Sequence, residues 1–215
     1  MWDMILAGRY MMIPIGLFSF VGLAVIIERL MVLQRQRIIC PEIAEAVETL
    51  SASKNLSVAY AICERKPGPF ANVVTAGLDH ADNDWTIIRD VLEEAGRQEA
   101  SRLTRRMGVL ETVAAVSPLL GLLGTVIGMI RVFASISQTG LSNPEVLSSG
   151  ISEAMVTTAA GLIVGIPALV AYNWLNGRAD RIIYDMEFYS SKVLATLRRR
   201  HESNTAGLDT GGAAG

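Results

Sequence analysis

Three stretches of this sequence carry no charged residue over lengths typical of a membrane-spanning helix. The stretches are Tyr10–Ile27, Thr112–Ile130 and Ala154–Gly177, of 18, 19 and 24 residues. A bilayer core about 30 Å thick requires about 20 helical residues to cross it. Because a buried helix of a soluble protein rarely stays uncharged for so long, the sequence predicts an all-α integral membrane protein with three transmembrane helices.

The distribution of basic residues predicts the orientation of these helices. If the N-terminus lies outside, only Arg9 and Arg131 of the 19 Lys and Arg residues fall at the outer side. Basic residues are enriched in cytoplasmic segments, so we expect an outer N-terminus and an inner C-terminus. The sequence lacks a basic patch with interleaved aromatic residues, so we expect no binding of nucleic acid.

Turn-rich breaks and changes of composition divide the chain into six segments. Between "SASKN" and "KPGP" lies a short helix, Leu56–Arg65, with further short helices expected at Pro41 to about Leu50 and at Phe70–Ala81. From Trp85 to about Ser137 only Pro118 interrupts the pattern, which predicts one helix of about 50 residues. The predicted segments are the outer N-terminus and first transmembrane helix (1–33), short cytoplasmic helices (34–84), a long cytoplasmic helix that continues into the second transmembrane helix (85–137), an outer loop (138–150), the third transmembrane helix with a cytoplasmic extension (151–201) and a disordered tail (202–215).

The sequence lacks the motifs of common enzymes and metal sites. No phosphate-binding loop, HExxH or CxxC occurs, and the two histidines, His80 and His201, stand apart in the sequence. Cys40 and Cys63 fall in a segment predicted to be cytoplasmic, where thiols stay reduced. We therefore expect a protein that is not an enzyme and that has no cofactor and no metal.

Polar residues of the second and third stretches are predicted to share levels in the membrane. These stretches form a helical hairpin, and residues equally far from the centre of its loop, near Ser142, lie at similar depth. By this count Thr125 is level with Thr158, and Arg131 is level with Glu153. Ionisable groups inside a membrane are costly and tend to mark ion pathways. The predicted ion pathway comprises Thr125, Glu153, Thr157 and Thr158, with a charge pair between Arg131 and Glu153 at the pore mouth.

Simpler interpretations of the same polar residues remain open. A Thr in a membrane helix often donates a hydrogen bond to a carbonyl one turn earlier and has no further role. Glu153 is close enough to a helix start to be favoured by the helix dipole. On an ideal helix Thr158 is rotated about 140° from Glu153, whereas Thr157 stacks one turn from it. All three cannot face one narrow channel, and which Thr faces the pore stays open.

Small residues recur at helical spacing on both helices of the hairpin. Gly121, Thr125 and Gly128 form one such stripe, and Thr158 and Gly161 belong to the other. Small residues at this spacing allow two helix backbones to approach closely. The residues predicted to pack the helices together are Gly121, Gly124, Gly128, Gly161, Gly165, Pro118 and Pro167, the two prolines lying at one level.

Two motifs in the hairpin resemble those of a known family. "SPLLGLLGTVIGMI" and "SSGISEAMVTTAAGLIVGIPALVAYN" are similar to the MotA/TolQ/ExbB proton-channel family, closest to its ExbB and TolQ branch. "ER" at Glu28 and Arg29 also fits. The resemblance implies that Thr125, Glu153 and Thr158 match the family's pore threonines and carboxylate.

The resemblance also implies an architecture and partners. It implies a pentameric ring around a central pore, in the bacterial inner membrane, with a periplasmic N-terminus and a cytoplasmic C-terminus. The ring would enclose a dimer of a small single-span ExbD/TolR-type protein whose transmembrane Asp carries the proton. The implied function is that of a stator, an ion-channel subunit that transmits force to the cell envelope, for example to a TonB-like protein.

Two residues depart from the family pattern. Arg131 places a charge where relatives often have an uncharged residue, and Thr157 adds a second hydroxyl, as in some sodium-driven members. We favour proton conduction over sodium. The alternatives are a non-conducting membrane scaffold and a subunit with a solute site.

Overall fold

The computed structural model describes residues 9–40, 42–43, 45, 56–139 and 144–211, which form α-helices and connecting turns. The helices with described bounds are α1 (Arg9–Val32), α2 (Arg35–Ile38), α3 (Leu56–Arg65), α4 (Pro69–Asp79), α5 (Trp85–Thr104), α6 (Met107–Thr139) and α7 (Pro144–Gly211). The all-α prediction is confirmed for these residues.

The chain divides into two compact units. The first, here called the hairpin unit, comprises Met1–Met31 and Arg106–Asn176, and the second, here called the charged unit, comprises Val32–Arg105 and Gly177–Gly215. Helix α7 therefore contributes residues to both units. The predicted ion-pathway residues all belong to the hairpin unit.

Three helical stretches are long and apolar enough to cross a membrane, namely Met11–Val32, Trp85–Ser137 and Ser148–Arg199. In the hairpin unit their apolar side chains point outwards as well as inwards, since Phe20 is 73% exposed and Ile163 is 72% exposed. A water-soluble surface rarely presents apolar side chains over such an area. Three long apolar helices were predicted from the uncharged stretches, and the structure contains them.

The single long helix predicted from Trp85 to about Ser137 is interrupted, so this prediction was wrong at one point. Helix α5 ends at Thr104 and α6 starts at Met107; Arg105 is extended, with ψ 138°, and Arg106 has a φ of 70°. The Arg106 guanidinium lies 2.5 Å from both carboxylate oxygens of Glu28 on α1. Neither Gly nor Pro occurs at this turn, so the sequence contains no local signal for it.

Helix α7 is longer than predicted at both ends. It starts at Pro144, within the predicted outer loop, and continues to Gly211, within the predicted disordered tail. Pro is favourable at the first position of a helix because it has no N–H to leave unpaired. Extending a formed helix fixes one residue for each hydrogen bond gained, which is easier than starting a new helix. Residues 140–143 and 212–215 lie outside the described residues.

The charged unit contains the short helices. Two of them, α3 and α4, agree with the predicted short helices, whereas most of the helix predicted from Pro41 lies outside the described residues. Helix α4 starts with Pro69, and α5 is capped by Asp84, whose carboxylate accepts a hydrogen bond of 2.8 Å from the Trp85 backbone N–H.

Large apolar side chains fill the core of the charged unit. Phe70, Val73 and Val74 of α4 are fully buried, and Phe70 contacts the ring of Tyr189 on α7 at 5.7 Å between centroids. Helical spacing in the sequence predicts packing along α5, at the start of α6 and along the second half of α7. Of the residues so predicted, the structure buries Ile88, Leu92, Leu103, Met107, Ile182, Met186, Val193 and Leu197, whereas Val91, Ala95, Ile183 and Leu194 are half-buried. The helical periodicity therefore identified this core, since burial of one apolar face stabilises a surface helix.

Candidate ion-pathway site in the helix hairpin

Helices α6 and α7 touch through their backbones. A Cβ atom on Gly161 would lie 2.6 Å from the Ser117 carbonyl oxygen and 3.0 Å from the Gly121 Cα. A Cβ atom on Gly121 would in turn lie 2.9 Å from the Thr157 carbonyl oxygen. Real Cβ atoms are not found at such distances, so only glycine allows this approach.

Other predicted packing residues occupy the same interface, with one exception. A Cβ on Gly165 would lie 2.6 Å from the Pro118 ring, and a Cβ on Gly128 would lie 3.0 Å from the Ala154 Cβ. Pro167 is exposed in the single chain. Two residues along a helix correspond to a rotation of about 200°, so Gly165 and Pro167 cannot both face α6.

The hydroxyls of Thr125 and Thr158 lie at one level of the hairpin. Thr158 Oγ1 donates a 3.0 Å hydrogen bond across the interface to the Gly121 carbonyl, and Thr125 Oγ1 donates a 2.6 Å hydrogen bond to the Leu122 carbonyl of its own helix. The two acceptors are consecutive carbonyls of α6. Both side chains are half-buried, so the layer reaches the surface of the single chain.

The side chain of Thr157 lies inside the interface, unlike that of Thr158. Thr157 is 2% exposed, and its hydroxyl donates to the carbonyls of Ala154, at 2.8 Å, and Glu153, at 3.1 Å. A Cβ on Gly124 would lie 2.7 Å from Thr157 Oγ1, so Gly124 provides the space for this hydroxyl. The structure thus separates two neighbours whose orientation the sequence left open.

Arg131 and Glu153 form an ion pair between α6 and α7. Arg131 Nη1 lies 3.4 Å from Glu153 Oε1, with the Glu153 side chain 19% exposed and that of Arg131 51% exposed. The two residues that we expected to interact are therefore in contact. A cavity of about 40 Å³ adjoins the pair, and Met11, Gly124 and Thr157 also line it. A water molecule requires about 10–15 Å³ of such space, so this cavity can hold one to three waters.

Ser117 is a residue of this interface that the sequence analysis did not select. Its side chain is fully buried and donates a 2.6 Å hydrogen bond to the Val113 carbonyl, while its own carbonyl lies against Gly161. A polar residue one turn before Gly121, in an uncharged stretch, could have indicated that Ser117 lies on the interface side of α6.

The described residues contain no group of three or more His, Cys, Asp or Glu that could hold a metal ion.

These features together define a class of protein. Apolar helices in backbone contact, with a thin polar layer and an ion pair between two of them, are typical of membrane proteins whose helices surround an ion pathway. Residues 65–188, more than half of the chain, match the model of the MotA/TolQ/ExbB proton channel family. The chain belongs to this family.

Relatives of known name agree with this assignment. An ExbB-like biopolymer transport protein of Synechocystis is 30% identical over 199 residues, which cover 92% of this chain and 95% of the relative. An ExbB homologue of Methanothermobacter thermautotrophicus is 28% identical over 83% of this chain and 62% of that protein. The Tol-Pal system protein TolQ of Haemophilus influenzae is 37% identical over 49% of this chain and 46% of its own length. The chain thus spans less than two thirds of the last two relatives.

Proposed function

We propose that this chain is the channel subunit of a stator that conducts protons together with an ExbD/TolR-type partner and transmits force to the cell envelope. The observation that carries the proposal is the polar layer of Thr125 and Thr158, with Glu153 nearer the hairpin loop, in two helices whose membrane-spanning stretches are predominantly apolar. Membership of a proton-channel family supports the same function. The proposed location of the chain is the bacterial inner membrane, with its N-terminus in the periplasm and its C-terminus in the cytoplasm.

The chemistry of these side chains suits proton transfer. The Thr125 and Thr158 hydroxyls each use their hydrogen in a bond to a carbonyl, so each keeps lone pairs that accept a hydrogen bond from water. The Glu153 carboxylate can take a proton from a hydronium ion, leaving water and a neutral carboxylic acid, and can then release the proton to another water. In the proposed complex the acceptor beyond the threonines is the transmembrane Asp of the partner.

The proposed assembly is a homopentamer. Large apolar side chains on α1, α6 and α7 are exposed in the single chain, and α6 and α7 bury only part of their surface against each other. Lipid, neighbouring copies and the partner's transmembrane segments can cover these faces. Native mass spectrometry in mild detergent should show five copies, and a stable monomer would contradict the ring.

Reconstitution tests conduction directly. The chain and its partner in liposomes should carry protons down a pH gradient, measured with a pH-sensitive dye. Thr158→Val keeps the shape and removes the hydroxyl that bonds Gly121, so proton flux should fall at least fivefold, the equivalent of about 1 kcal/mol for one hydrogen bond. Thr125→Val should act in the same direction. Thr112→Val is the matched control, because the Thr112 hydroxyl bonds back to Gly108 at 2.7 Å outside the polar layer.

One observation favours a second candidate function, a non-conducting scaffold. The Thr125 and Thr157 hydroxyls bond to carbonyls of their own helices, which satisfies them without any ion. A scaffold would assemble with the partner but would carry no ion in liposomes. If both Val variants conduct at the wild-type rate, the threonines do not relay the proton.

A further inference from the structure

The cavity beside the ion pair is lined by glycines and apolar side chains, together with one carboxylate, one hydroxyl and one cation. Glu153 is the only carboxylate among the described residues that line it, and Arg131 Nη1 lies 3.4 Å from its Oε1. The Thr157 hydroxyl already donates to the carbonyls of Ala154 and Glu153, so it presents lone pairs to any other group.

Without the guanidinium, the Glu153 carboxylate and the Thr157 hydroxyl, completed by water in the cavity, would suit a hard cation. Sodium, like other hard cations, binds through several oxygen ligands, and a carboxylate compensates its charge. A cation on Glu153 would share that carboxylate with the Arg131 guanidinium at a separation of a few ångströms. The Glu153 side chain is only 19% exposed, so water screens the repulsion between two such cations incompletely.

We propose that Arg131 is a specificity-determining residue whose guanidinium occupies the place of a metal cation at Glu153, so that the pathway passes protons and excludes sodium. The proposal rests on the proposed ion-conducting function. A proton needs no coordination shell, because it moves along hydrogen bonds between water and the carboxylate. The cavity of about 40 Å³ has room for one to three such waters.

The first experiment measures sodium binding without requiring conduction. The purified full-length chain is unfolded by heat in NaCl and in choline chloride at equal ionic strength. The wild type should have the same midpoint in both salts, whereas Arg131→Gln should have a higher midpoint in sodium, since ligand bound only by the folded state stabilises it. Arg131→Gln with Glu153→Gln is the matched control and should lose the sodium effect. Arg131→Lys keeps the charge and should behave as the wild type does.

Two results of this experiment overturn the proposal. One is a wild-type unfolding midpoint that is higher in sodium than in choline, with the difference abolished by Glu153→Gln. This result can be obtained even if Arg131→Gln does not fold. The other is a folded Arg131→Gln variant whose midpoint is the same in sodium and choline.

The second experiment measures selectivity in liposomes that contain the chain and its partner. Wild-type complexes should carry protons but no ²²Na⁺, and Arg131→Gln should raise the ratio of sodium to proton flux at least tenfold. An unchanged ratio in a conducting Arg131→Gln complex contradicts the role of Arg131. A wild-type complex that conducts neither ion contradicts the proposed function instead, and the unfolding experiment then decides on sodium exclusion.

Discussion

The helices inside the hairpin unit and the helices inside the charged unit are packed in opposite ways. In the hairpin unit, glycines bring backbones into contact, as at Gly161 and Gly121. In the charged unit, large side chains such as Phe70 fill the space between helices, and a Cβ on Gly77 would meet only the flexible end of Leu92. Removal of apolar surface from water drives packing in an aqueous core. Helices in lipid lack that driving force and depend on close van der Waals contact.

Charges are also used differently in the two units. The charged unit carries exposed pairs such as Arg97–Glu93, at 3.0 Å, and a buried carboxylate, that of Glu99, which accepts hydrogen bonds from Asn72 and Arg102. Exposed pairs of this kind contribute about 0–1 kcal/mol each. In the hairpin unit, the Arg131–Glu153 pair adjoins a cavity, and we propose that it takes part in ion conduction. The comparison predicts that the charged unit is sensitive to lost volume and the hairpin unit to added volume.

The largest effect should come from removing volume in the charged unit. Phe70→Ala deletes a fully buried ring and should lower the free energy of unfolding by about 3–5 kcal/mol. Thermal or denaturant unfolding of the full-length chain in detergent measures the change. Phe188→Ala is the matched control, because Phe188 is 49% exposed, and it should cost at most about 1.5 kcal/mol. Equal effects of the two variants would show that the core of this unit is not packed as described.

The next effect should come from adding volume in the hairpin unit. Gly161→Ala places a methyl group against the Ser117 carbonyl, which cannot move aside as a side chain can, and should cost about 1–3 kcal/mol. Gly177→Ala on the same helix is the control, because a Cβ there meets nothing within 4 Å. The control should be neutral or stabilising, since Ala favours helix more than Gly does. A neutral Gly161→Ala would mean that α6 and α7 are further apart than the structure shows.

A smaller effect is expected at the turn between α5 and α6. Arg106 has a φ of 70°, a conformation that costs a residue with a side chain about 1 kcal/mol or more. Both Arg106→Ala and Arg106→Gly remove the ion pair with Glu28, but only Gly removes the strain. Arg106→Gly should therefore be about 1 kcal/mol more stable than Arg106→Ala, the reverse of the order in a helix interior. The unfolding midpoints of the two variants measure this difference directly. A higher midpoint for Arg106→Ala than for Arg106→Gly would show that the turn is helical in solution.

The smallest effect concerns pH in the charged unit. Burial raises the pKa of the Cys63 thiol, against a weaker opposing effect of its hydrogen bond with Thr75. A raised pKa in the folded state contributes stability below the unfolded thiol pKa of about 8.5, and that stability is lost as the pH rises towards the folded pKa. Wild type should therefore lose stability relative to Cys63→Ala between pH 8 and pH 10. A constant difference across this range would show that the thiol is accessible to water.

Much of this structure follows from patterns that are local in the sequence. The uncharged stretches indicated three apolar helices because the length and polarity of a membrane-spanning segment are set by the bilayer. The spacing of residues such as Ile88 and Leu92 identified the core of the charged unit, because a helix repeats every 3.6 residues. The motifs around Gly121 and Glu153 identified the family, and counting from the hairpin loop brought Arg131 and Glu153 together.

Only the tertiary structure decided the features that depend on contacts between distant residues. The helix is interrupted at Arg106, whose guanidinium contacts Glu28, 78 residues earlier in the chain. Neither Gly nor Pro occurs at this turn to indicate the interruption in the sequence. The tertiary structure also placed Thr157 inside the interface, against Gly124, and Thr158 at its margin, bonded to Gly121. The sequence determines which residues can lie on one face of a helix, because that face depends on local geometry alone. Which face meets the neighbouring helix depends on how two backbones fit, and that fit exists only in the folded chain.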